Sequence, residues 1–418
     1  MKRHNWKINT LFFLGGQNIS LFGSALVQYA ITWYITLKTG SGMMLTAFVV
    51  IGFLPMFFIS PFAGVWADRF NRKYIINIAD AIIAITTLIA ALCFMAGYEK
   101  IWLLLLCAAI RSVGQGLQTP AVNSLIPVIV PQEYYVRING INTTIQSFSN
   151  LLAPMIAGAI LSFMSITAIF FIDVVTAALA ISIVFFLVRV PEGERQKNEA
   201  QSGINYFHDI KDGFRYIRNQ PWLMGLIIIS TVFFLFVAPL AFLTNLKVVR
   251  DYGNDVWRLT AHEIVFSLGM ILGGVLMSAW GGFKNRSYSM GAGNILIGIG
   301  TIAIGFVPNF WGYIVLMGLV GLVFPMFNVA EMSLVQEKVD PVFMGRVFSV
   351  FGMLSSALGP VSMLVFGPMS DVVNLNTLLK LTGVVTIVLG FPFFLNKTMR
   401  EAGLKNINNG SVAVHGNG

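Results

Sequence analysis

Long apolar stretches recur along the whole chain and limit its possible folds more than any other feature. Each is about 20 residues long, which is enough for a helix to cross the roughly 30 Å hydrocarbon core of a membrane. Because backbone groups inside lipid must find their hydrogen bonds within the protein, such stretches predict membrane-spanning helices. We predict twelve spans, at residues 10–36, 43–66, 74–97, 101–127, 138–164, 166–188, 221–245, 260–280, 288–307, 310–335, 345–368 and 375–397.

The composition agrees with a chain whose main solvent is lipid. Of its 418 residues, 56% are hydrophobic and 11% are charged. Soluble domains carry about 25% charged residues, because a water-facing surface needs them. The predicted fold class is therefore all-α integral membrane, with twelve transmembrane helices.

Lysine and arginine predict the orientation of the spans. Twenty of the 27 basic residues fall on the side that holds both termini, six fall on the opposite side, and Arg111 lies within the membrane. Basic residues concentrate on the cytoplasmic side of membrane proteins. We therefore expect a multi-pass protein of a bacterial cytoplasmic membrane with both termini inside. The net charge of +9 then reflects topology and contact with anionic lipids, and we expect no nucleic-acid partner.

The two halves of the chain repeat each other. The pattern Gly116-Leu-x-x-Pro-x-x-Asn123 returns at Gly321–Asn328, 205 residues later, and Ala153-Pro154 is answered by Gly359-Pro360, 206 residues later. Phe70–Lys73 is loosely answered by Phe283–Arg286. Repeats of this kind predict two pseudo-symmetric six-helix bundles around a central site. The predicted parts are a first bundle at 1–190, a cytoplasmic linker with an amphipathic helix at 191–220, a second bundle at 221–400 and a disordered cytoplasmic tail at 401–418.

Several motifs resemble signatures of a known transporter superfamily. Residues 64–73, GVWADRFNRK, resemble the G-x-L-A-D-R-x-G-R-K signature of the major facilitator superfamily, with Trp66 and Asn71 as departures. Arg111–Gly116 resembles its fourth-helix signature, and Ala153–Gly158 resembles a weakened fifth-helix antiporter signature in which Ala precedes the proline. Residues 16–21, 38–41 and 345–349 resemble the branch that contains bacterial macrolide-efflux proteins.

The first signature implies a gate. The resemblance implies that the carboxylate of Asp68 holds the two bundles together by binding the start of the eleventh span near Gly345. The unpaired N–H groups at a helix N-terminus favour a nearby carboxylate. The alternative is that the basic residues only anchor the topology. The candidate gating residues are Gly64, Asp68, Arg69, Arg72, Lys73 and Gly345.

Arg111 lies about ten residues from the predicted outer end of the fourth span. A charge at that depth costs about 2.5–3.5 kcal/mol, so the side chain must be paired or face a cavity. Polar residues on the same helix face and on the first, fifth and tenth spans either line a water-filled cavity or hydrogen-bond between helices. Aromatic residues on the first and seventh spans are candidates for an apolar drug pocket. The candidate cavity and substrate residues are Arg111, Gln115, Gln118, Gln17, Ser24, Gln28, Trp33, Gln146, Asn150, Phe233 and Asn328.

Four acidic residues lie inside predicted spans and are candidates for proton coupling: Asp173, Glu263, Glu331 and Asp80. A carboxyl group in an apolar environment exchanges protons closer to neutral pH than one in water. By depth, Asp173 is the first expected partner of Arg111 and Glu263 the second. Asp80 ranks last, because the third helix is peripheral in the resembled fold. His262 is expected in a loop.

The resemblance and the buried acids together predict a secondary active exporter that exchanges protons for amphiphilic molecules such as macrolide-like drugs. The first alternative is export of an endogenous siderophore or lipid by the same fold. The second is a non-transporting membrane receptor or enzyme, against which the spacing of the four His residues argues, since no two of them stand four residues apart as metal ligands on one helix would. We expect a small organic substrate, protons and membrane lipids as partners, a monomer, and neither a metal nor a cofactor.

Overall fold

The computed structural model describes residues 6–190 and 206–404, and it confirms a helical membrane protein. Among these residues, twelve helices are long and apolar enough to span a membrane. Most of their ends lie within four residues of the predicted ones. The first six are α1 (Trp6–Thr39), α2 (Gly42–Arg69), α3 (Arg72–Met95), α4 (Ile101–Ile129), α5 (Tyr135–Phe163) and α6 (Ile166–Leu187).

A shorter amphipathic helix, α7 (Tyr206–Asn219), precedes the second six. These are α8 (Pro221–Lys247), α9 (Val256–Trp280), α10 (Arg286–Ile304), α11 (Phe310–Lys338), α12 (Pro341–Val372) and α13 (Leu375–Gly390). Below, "inner" and "outer" refer to the orientation that the lysine and arginine distribution predicts.

Several helices begin at side chains that accept hydrogen bonds from the first turn. Asn71 caps α3 by accepting from the Lys73 amide, and Asn285 caps α10 by accepting from the Ser287 amide. α3 and α10 are the third spans of the two halves, and Asn285 stands one position later in the loose repeat than Asn71 does. Such caps satisfy amides that have no partner within the helix. The repeat therefore includes a local signal for where a span starts.

By contacts, the chain divides into two compact units. The first contains residues 1–203 together with Asn245–Ile264 and Met363–Asp371, and the second contains the rest. In the first unit α2 packs against α4, α1 against α6, and α3 against both α4 and α6. In the second unit α10 packs against α11 and α13. The grouping thus assigns to the first unit two segments that the sequence prediction had put in the second bundle.

Glycines allow α10 and α13 to lie very close together. Gly291 and Gly298 on α10 face Gly390 and Gly383 on α13, at the same seven-residue spacing. A Cβ atom on Gly298 would lie 2.6 Å from the Gly383 carbonyl oxygen. Small residues at such positions bring membrane helices into close van der Waals contact. The backbones of α10 and α13 are therefore in close contact within the second unit.

The last span runs to Leu395, close to the predicted end, but its helix is interrupted after Gly390. The sequence prediction continued it to residue 397, but α13 ends at Gly390 and two short helices follow, α14 (Pro392–Leu395) and α15 (Lys397–Ala402). Proline has no amide hydrogen to continue the α-helical ladder, so Pro392 starts a new helix instead. At the start of the segment predicted as a disordered tail, Ala402 is helical and Leu404 forms a bridge with Asn285. Residues 191–205 and 405–418 lie outside the described residues.

The amphipathic helix α7 packs against the start of α12. The ring of Tyr216 stacks on that of Phe343, with centroids 4.4 Å apart. The Tyr216 hydroxyl accepts a hydrogen bond from the Asp340 amide at 3.2 Å. A Cβ atom on Gly213 would lie 3.2 Å from the Cβ atom of Arg346. The sequence predicted a helix lying on the membrane surface, and the structure adds a protein surface on which it rests.

Candidate functional site

Arg111 forms a buried ion pair with Asp173 and is only 5% exposed. Its Nη1 atom lies 2.5 Å from Asp173 Oδ2 and also donates to the Thr87 hydroxyl. Thr87 and Ser24 donate to the same carboxylate, at 2.9 and 3.3 Å. The expected pairing of Arg111 with Asp173 is therefore confirmed. The group joins α1, α3, α4 and α6, so Arg111 and Ser24 act here as contacts between helices.

Close packing of α6 against α1 explains how Asp173 reaches Arg111. A Cβ atom on Gly23 of α1 would lie 3.2 Å from the Cα atom of Asp173. The helices can approach this closely because glycine has no side chain. α6 packs against both α1 and α3, which places Asp173 beside the two helices that carry Ser24 and Thr87.

Asp80 lies at the centre of a second buried polar group. Its side chain has no exposed surface. Ser20 Oγ and Gln118 Nε2 donate to Oδ1 at 2.7 and 2.8 Å, and Gln17 Nε2 donates to Oδ2 at 3.3 Å. Gln118 Nε2 also lies 3.2 Å from Gln17 Oε1. The sequence analysis ranked Asp80 last among the proton-coupling candidates, because it took the third helix to be peripheral. In the structure, α3 contacts α1 and α4 through these hydrogen bonds.

The two polar groups form layers at different depths. Asp80 and Thr87 are seven residues apart on α3, as are Arg111 and Gln118 on α4. At 1.5 Å per residue the layers lie about 10 Å apart along the helices. The Arg111 layer is the outer one, and the Asp80 layer is the inner one.

The other two acidic candidates have fewer partners. Glu331 on α11 is 8% exposed and accepts a hydrogen bond from the hydroxyl of Ser230 on α8, within the second unit. Glu263 on α9 is partly exposed and accepts from Asn245 at a long 3.5 Å. Its neighbour His262 lies buried within α9 and not in a loop as the sequence analysis expected.

The remaining polar candidates divide by exposure. Gln28, Gln146 and Asn150 are exposed, and Gln115 and Asn328 are partly exposed, whereas Gln17 and Gln118 are buried in the Asp80 layer. Thr143, Thr144 and Ser147 are exposed beside Gln146 on α5. Polar side chains in contact with hydrocarbon are unfavourable. Because α5 exposes five polar side chains along this stretch, its exposed face is better suited to contact with water than with lipid.

The aromatic candidates are packed inside the protein. Phe233 has no exposed surface, and its ring lies 4.4 Å from that of Phe327 and 5.4 Å from that of Phe234. Trp33 is equally buried, beside Tyr29 at 5.7 Å. Neither ring lines an open pocket in this structure. Abundant phenylalanines serve packing as readily as binding, and the sequence pattern does not separate the two.

A small cleft lies in the second unit between α8 and α12. It has about 200 Å³ of empty volume, and its lining includes Ser230, Thr231, Phe234 and Ser355 among aliphatic residues. Ser230 is also the hydrogen-bond partner of Glu331.

The gating candidates lie at the ends of helices. Arg72 is the first residue of α3, and Lys73 Nζ donates to the Val188 carbonyl at 2.7 Å, just beyond α6. A cation at a helix C-terminus is favourable, which gives Lys73 a structural role as well as its place in the signature. Gly64 and Gly345 have open space where a Cβ atom would lie. The side chains of Asp68 and Arg69 lie outside the described part of the structure.

The structure adds a cluster at the outer end that the sequence analysis missed. Asp371, at the end of α12, accepts from the amides of Gly42 and Met43 at 2.8 and 2.9 Å and from the hydroxyl of Ser41 at 2.7 Å. These groups form the N-terminus of α2. The carboxylate therefore caps a helix that belongs to a distant part of the sequence.

Arg250 completes this cluster, which we call the outer clamp: Gly40–Met43, Arg250, Ser370 and Asp371. Its guanidinium donates to the carbonyls of Gly40 and Ser370 at 2.7 and 2.6 Å and to Asp371 at 2.6 Å. Arg250 lies in a π-helical turn, Val248–Tyr252, at the end of α8. Two sequence signals could have indicated this cluster. One is Asp371 at the end of the eleventh span, and the other is the Ser41-Gly42 pair before the second span.

Two glycines bring other helices of the first unit together. A Cβ atom on Gly367 would lie 2.9 Å from the Gly42 carbonyl oxygen, so α2 and α12 touch beside the outer clamp. A Cβ atom on Gly158, in the antiporter-like motif of α5, would lie 1.9 Å from the Thr260 hydroxyl. The motif thus keeps its close-packing glycine although alanine precedes its proline.

Comparisons with known proteins agree with this architecture. The sequence profile of the Major Facilitator Superfamily matches residues 13–363. The chain is 31% identical to Macrolide efflux protein A of Streptococcus pyogenes, over 97% of this chain and 100% of that one. It is 24% identical to Multidrug efflux pump Tap of Mycobacterium bovis, over 94% of this chain and 93% of that one.

Among solved structures, the fold matches a bacterial homologue of the human lysosomal transporter Spinster. The TM-score is 0.67 at 16% identity, with 97% of this chain and 100% of that chain covered. The helices, the repeats and these similarities together identify a multi-pass membrane transporter and not an enzyme. The chain belongs to the Major Facilitator Superfamily, as an efflux transporter related to macrolide and multidrug exporters.

Proposed function

We propose that the protein exports amphiphilic small organic molecules, in particular macrolide-like compounds, in exchange for protons that move inward. It acts in a bacterial cytoplasmic membrane, with both termini and the interval 191–220 in the cytoplasm. The substrate class rests on the two efflux relatives and on the length over which they match.

Buried acids inside the membrane helices are the observation that carries proton coupling. Asp80 and Glu331 are buried with hydroxyl and carboxamide partners and without a cation among the contacts described for them. A buried carboxylate without a counter-charge is costly, and taking up a proton removes that cost. Groups of this kind can bind a proton on one side of the membrane and release it on the other.

The exposed polar face of α5 supports an aqueous path for an amphiphilic substrate. It includes Gln146 and Asn150, and Gln28 on α1 is exposed as well. Carboxamides at such positions hydrogen-bond many different polar groups, since each offers both donors and an acceptor. A path lined by them tolerates substrates that differ in detail.

We further propose that gates at opposite ends of α2 and α12 alternate. The inner gate is the one that the superfamily-like signature at 64–73 implies, in which the carboxylate of Asp68 would hold the start of the eleventh span near Gly345. In the outer gate, the clamp around Asp371 holds the end of α12 to the start of α2. In both cases a carboxylate at one helix end satisfies the N-terminus of the other helix. An exporter that opens to one side at a time needs such a contact at each end.

Export is tested in a bacterial host that lacks its own drug exporters. Cells producing the protein should retain less radiolabelled erythromycin than control cells, and a protonophore should remove the difference. Asp68→Asn keeps the side chain's size but removes its charge, and should slow export at least about tenfold at equal membrane abundance.

The same cells also test the alternatives for the substrate. Equal retention with and without the protein, for macrolides and for other amphiphilic drugs, would contradict drug export. Protection against an accumulating siderophore or lipid under those conditions would then favour an endogenous substrate.

A further inference from the structure

We propose that Asp80, together with Gln17, Ser20 and Gln118, forms the site that holds the coupling proton. This group is called the Asp80 cage below. The inference rests on the proposed function and deepens it, because it selects one acid among four. It follows from the chemistry of the groups that surround each of them.

Asp173 is a poor proton carrier in this arrangement. Its partner Arg111 is buried with it, and a guanidinium group only donates hydrogen bonds and keeps its charge in proteins. A proton on Asp173 would leave that charge buried without a counter-ion, which is strongly unfavourable. The pair is therefore a stable ionic element of the outer layer.

The Asp80 cage can hold either state of its carboxyl group. Ser20, Gln17 and Gln118 all donate to Asp80 now, and this arrangement stabilises the carboxylate. Hydroxyl and carboxamide groups can also accept hydrogen bonds. If Asp80 takes up a proton, it can donate to Ser20 Oγ or, after the Gln17 carboxamide turns over, to Gln17 Oε1.

The surroundings of the cage contain few other charges. On α1 no Asp, Glu, Lys or Arg lies between Lys7 and Lys38, and on α3 Asp80 is alone between Lys73 and Glu99. From α6 the charge of Asp173 acts on Asp80, and on α4 the nearest charged residue is Arg111, seven residues from Gln118. Since Arg111 and Asp173 are paired with each other about 10 Å away, no cation fixes Asp80 in its charged state.

The residue that follows Gln17 in α1 makes a polar contact with α5: Asn18 donates to Asn142 at 3.2 Å. Residues of α5 close to Asn142, including Thr143 and Gln146, are exposed. A proton that arrives in an aqueous space along α5 therefore reaches polar groups of α1 one residue from the cage. Its uptake would rearrange the contacts that hold α1, α3 and α4 together.

Infrared difference spectroscopy tests the site without any substrate. The purified protein in lipid is compared between alkaline and acidic buffer, and the absorbance of protonated carboxyl groups is measured. The wild type should gain a buried-carboxyl band that Asp80→Asn lacks. Glu331→Gln serves as the matched control and should keep that band. Gln118→Leu removes one partner that can both donate and accept, and should move the band's pH midpoint while leaving its size unchanged.

Transport in proteoliposomes provides the second arm, with radiolabelled erythromycin as the probe. Asp80→Asn should lose accumulation driven by a pH gradient by at least about tenfold. Its exchange of labelled for unlabelled compound, which needs no net proton movement, should continue. This retained exchange also shows that the variant is folded.

The outcomes separate the site from the proposed function. If accumulation by the wild type does not depend on the pH gradient, proton coupling itself is contradicted. If the wild type follows the gradient and Asp80→Asn follows it equally, the cage is not the proton site. An unchanged carboxyl band in Asp80→Asn, or its loss in Glu331→Gln instead, contradicts the inference in the same way.

Discussion

Arg111 and Asp173 carry opposite charges and are both buried, so that neither charge is solvated by water. Removing either partner should therefore destabilise the protein by about 3–5 kcal/mol, because the other charge stays buried alone. Arg111→Ala, Asp173→Ala and the double variant form a cycle whose thermal unfolding is followed in detergent. The double variant should be milder than the two single losses added together. Simple additivity would mean that the two residues act independently.

Depth along a helix can be predicted from sequence, but the neighbours of a helix cannot. Counting residues from the span ends was sufficient to expect the pairing of Arg111 with Asp173, which is confirmed. The same count could not show that α3 faces α1 and α4, and so it ranked Asp80 too low. The position of Phe233 inside an aromatic cluster was equally hidden, since periodicity does not distinguish a pocket wall from a packed core.

At the scale of helices, glycine contacts decide how closely α10 and α13 approach. Gly298→Ala should lower the melting temperature clearly, because its Cβ atom would lie 2.6 Å from a backbone oxygen of α13 that cannot move alone. Overpacking of this kind costs about 1–3 kcal/mol. Gly274→Ala is the matched control, because nothing lies within 4 Å of its Cβ position. Equal melting temperatures for the two variants would contradict the close packing.

The outer clamp makes a second prediction about helices. Asp371→Asn keeps the side chain's size but removes the charge that meets the N-terminus of α2 and Arg250. We expect a loss of about 1–2 kcal/mol of stability, since charge-assisted hydrogen bonds are the stronger ones. The control is Asp255→Asn, which removes a more exposed ion pair with Arg258 and should change little. Equal effects of the two variants would show that the clamp adds nothing.

Most helix ends followed from apolar length and capping residues, but contacts between distant segments did not. Ser41 and Asn71 are local signals that a reader of the sequence can use. The carboxylate of Asp371 acts on a helix about 330 residues earlier in the chain, and only the folded structure reveals such a partner. The early end of α13 was missed because Phe391 and Phe393 keep the stretch apolar around Pro392.

At the scale of the whole molecule, the distribution of lysine and arginine predicts which segments face the cytoplasm. A single cysteine placed in 192–199, with Cys93 and Cys107 replaced, should resist a membrane-impermeant maleimide in intact cells. The same probe should react after the cells are opened, which controls for its accessibility. Ready labelling of intact cells would overturn the predicted orientation.

The general fold was the easiest level to predict. Twelve apolar stretches and a repeat near 205 residues indicate two related halves, and the family comparison agrees with them. These signals are strong because lipid forces every span to be a helix of similar length. Substrate identity has no comparable constraint, since a few polar side chains can serve many amphiphilic compounds.

The central claim, that inward proton flow drives export, is tested most directly in inside-out membrane vesicles. A pH gradient, acidic inside, is imposed while the membrane potential is held at zero with potassium and valinomycin, and uptake of radiolabelled erythromycin is measured. Our account predicts accumulation against the concentration gradient that stops when nigericin dissipates the pH gradient. Accumulation that persists after nigericin, or that is equal in vesicles without the protein, would contradict proton-coupled export by this transporter.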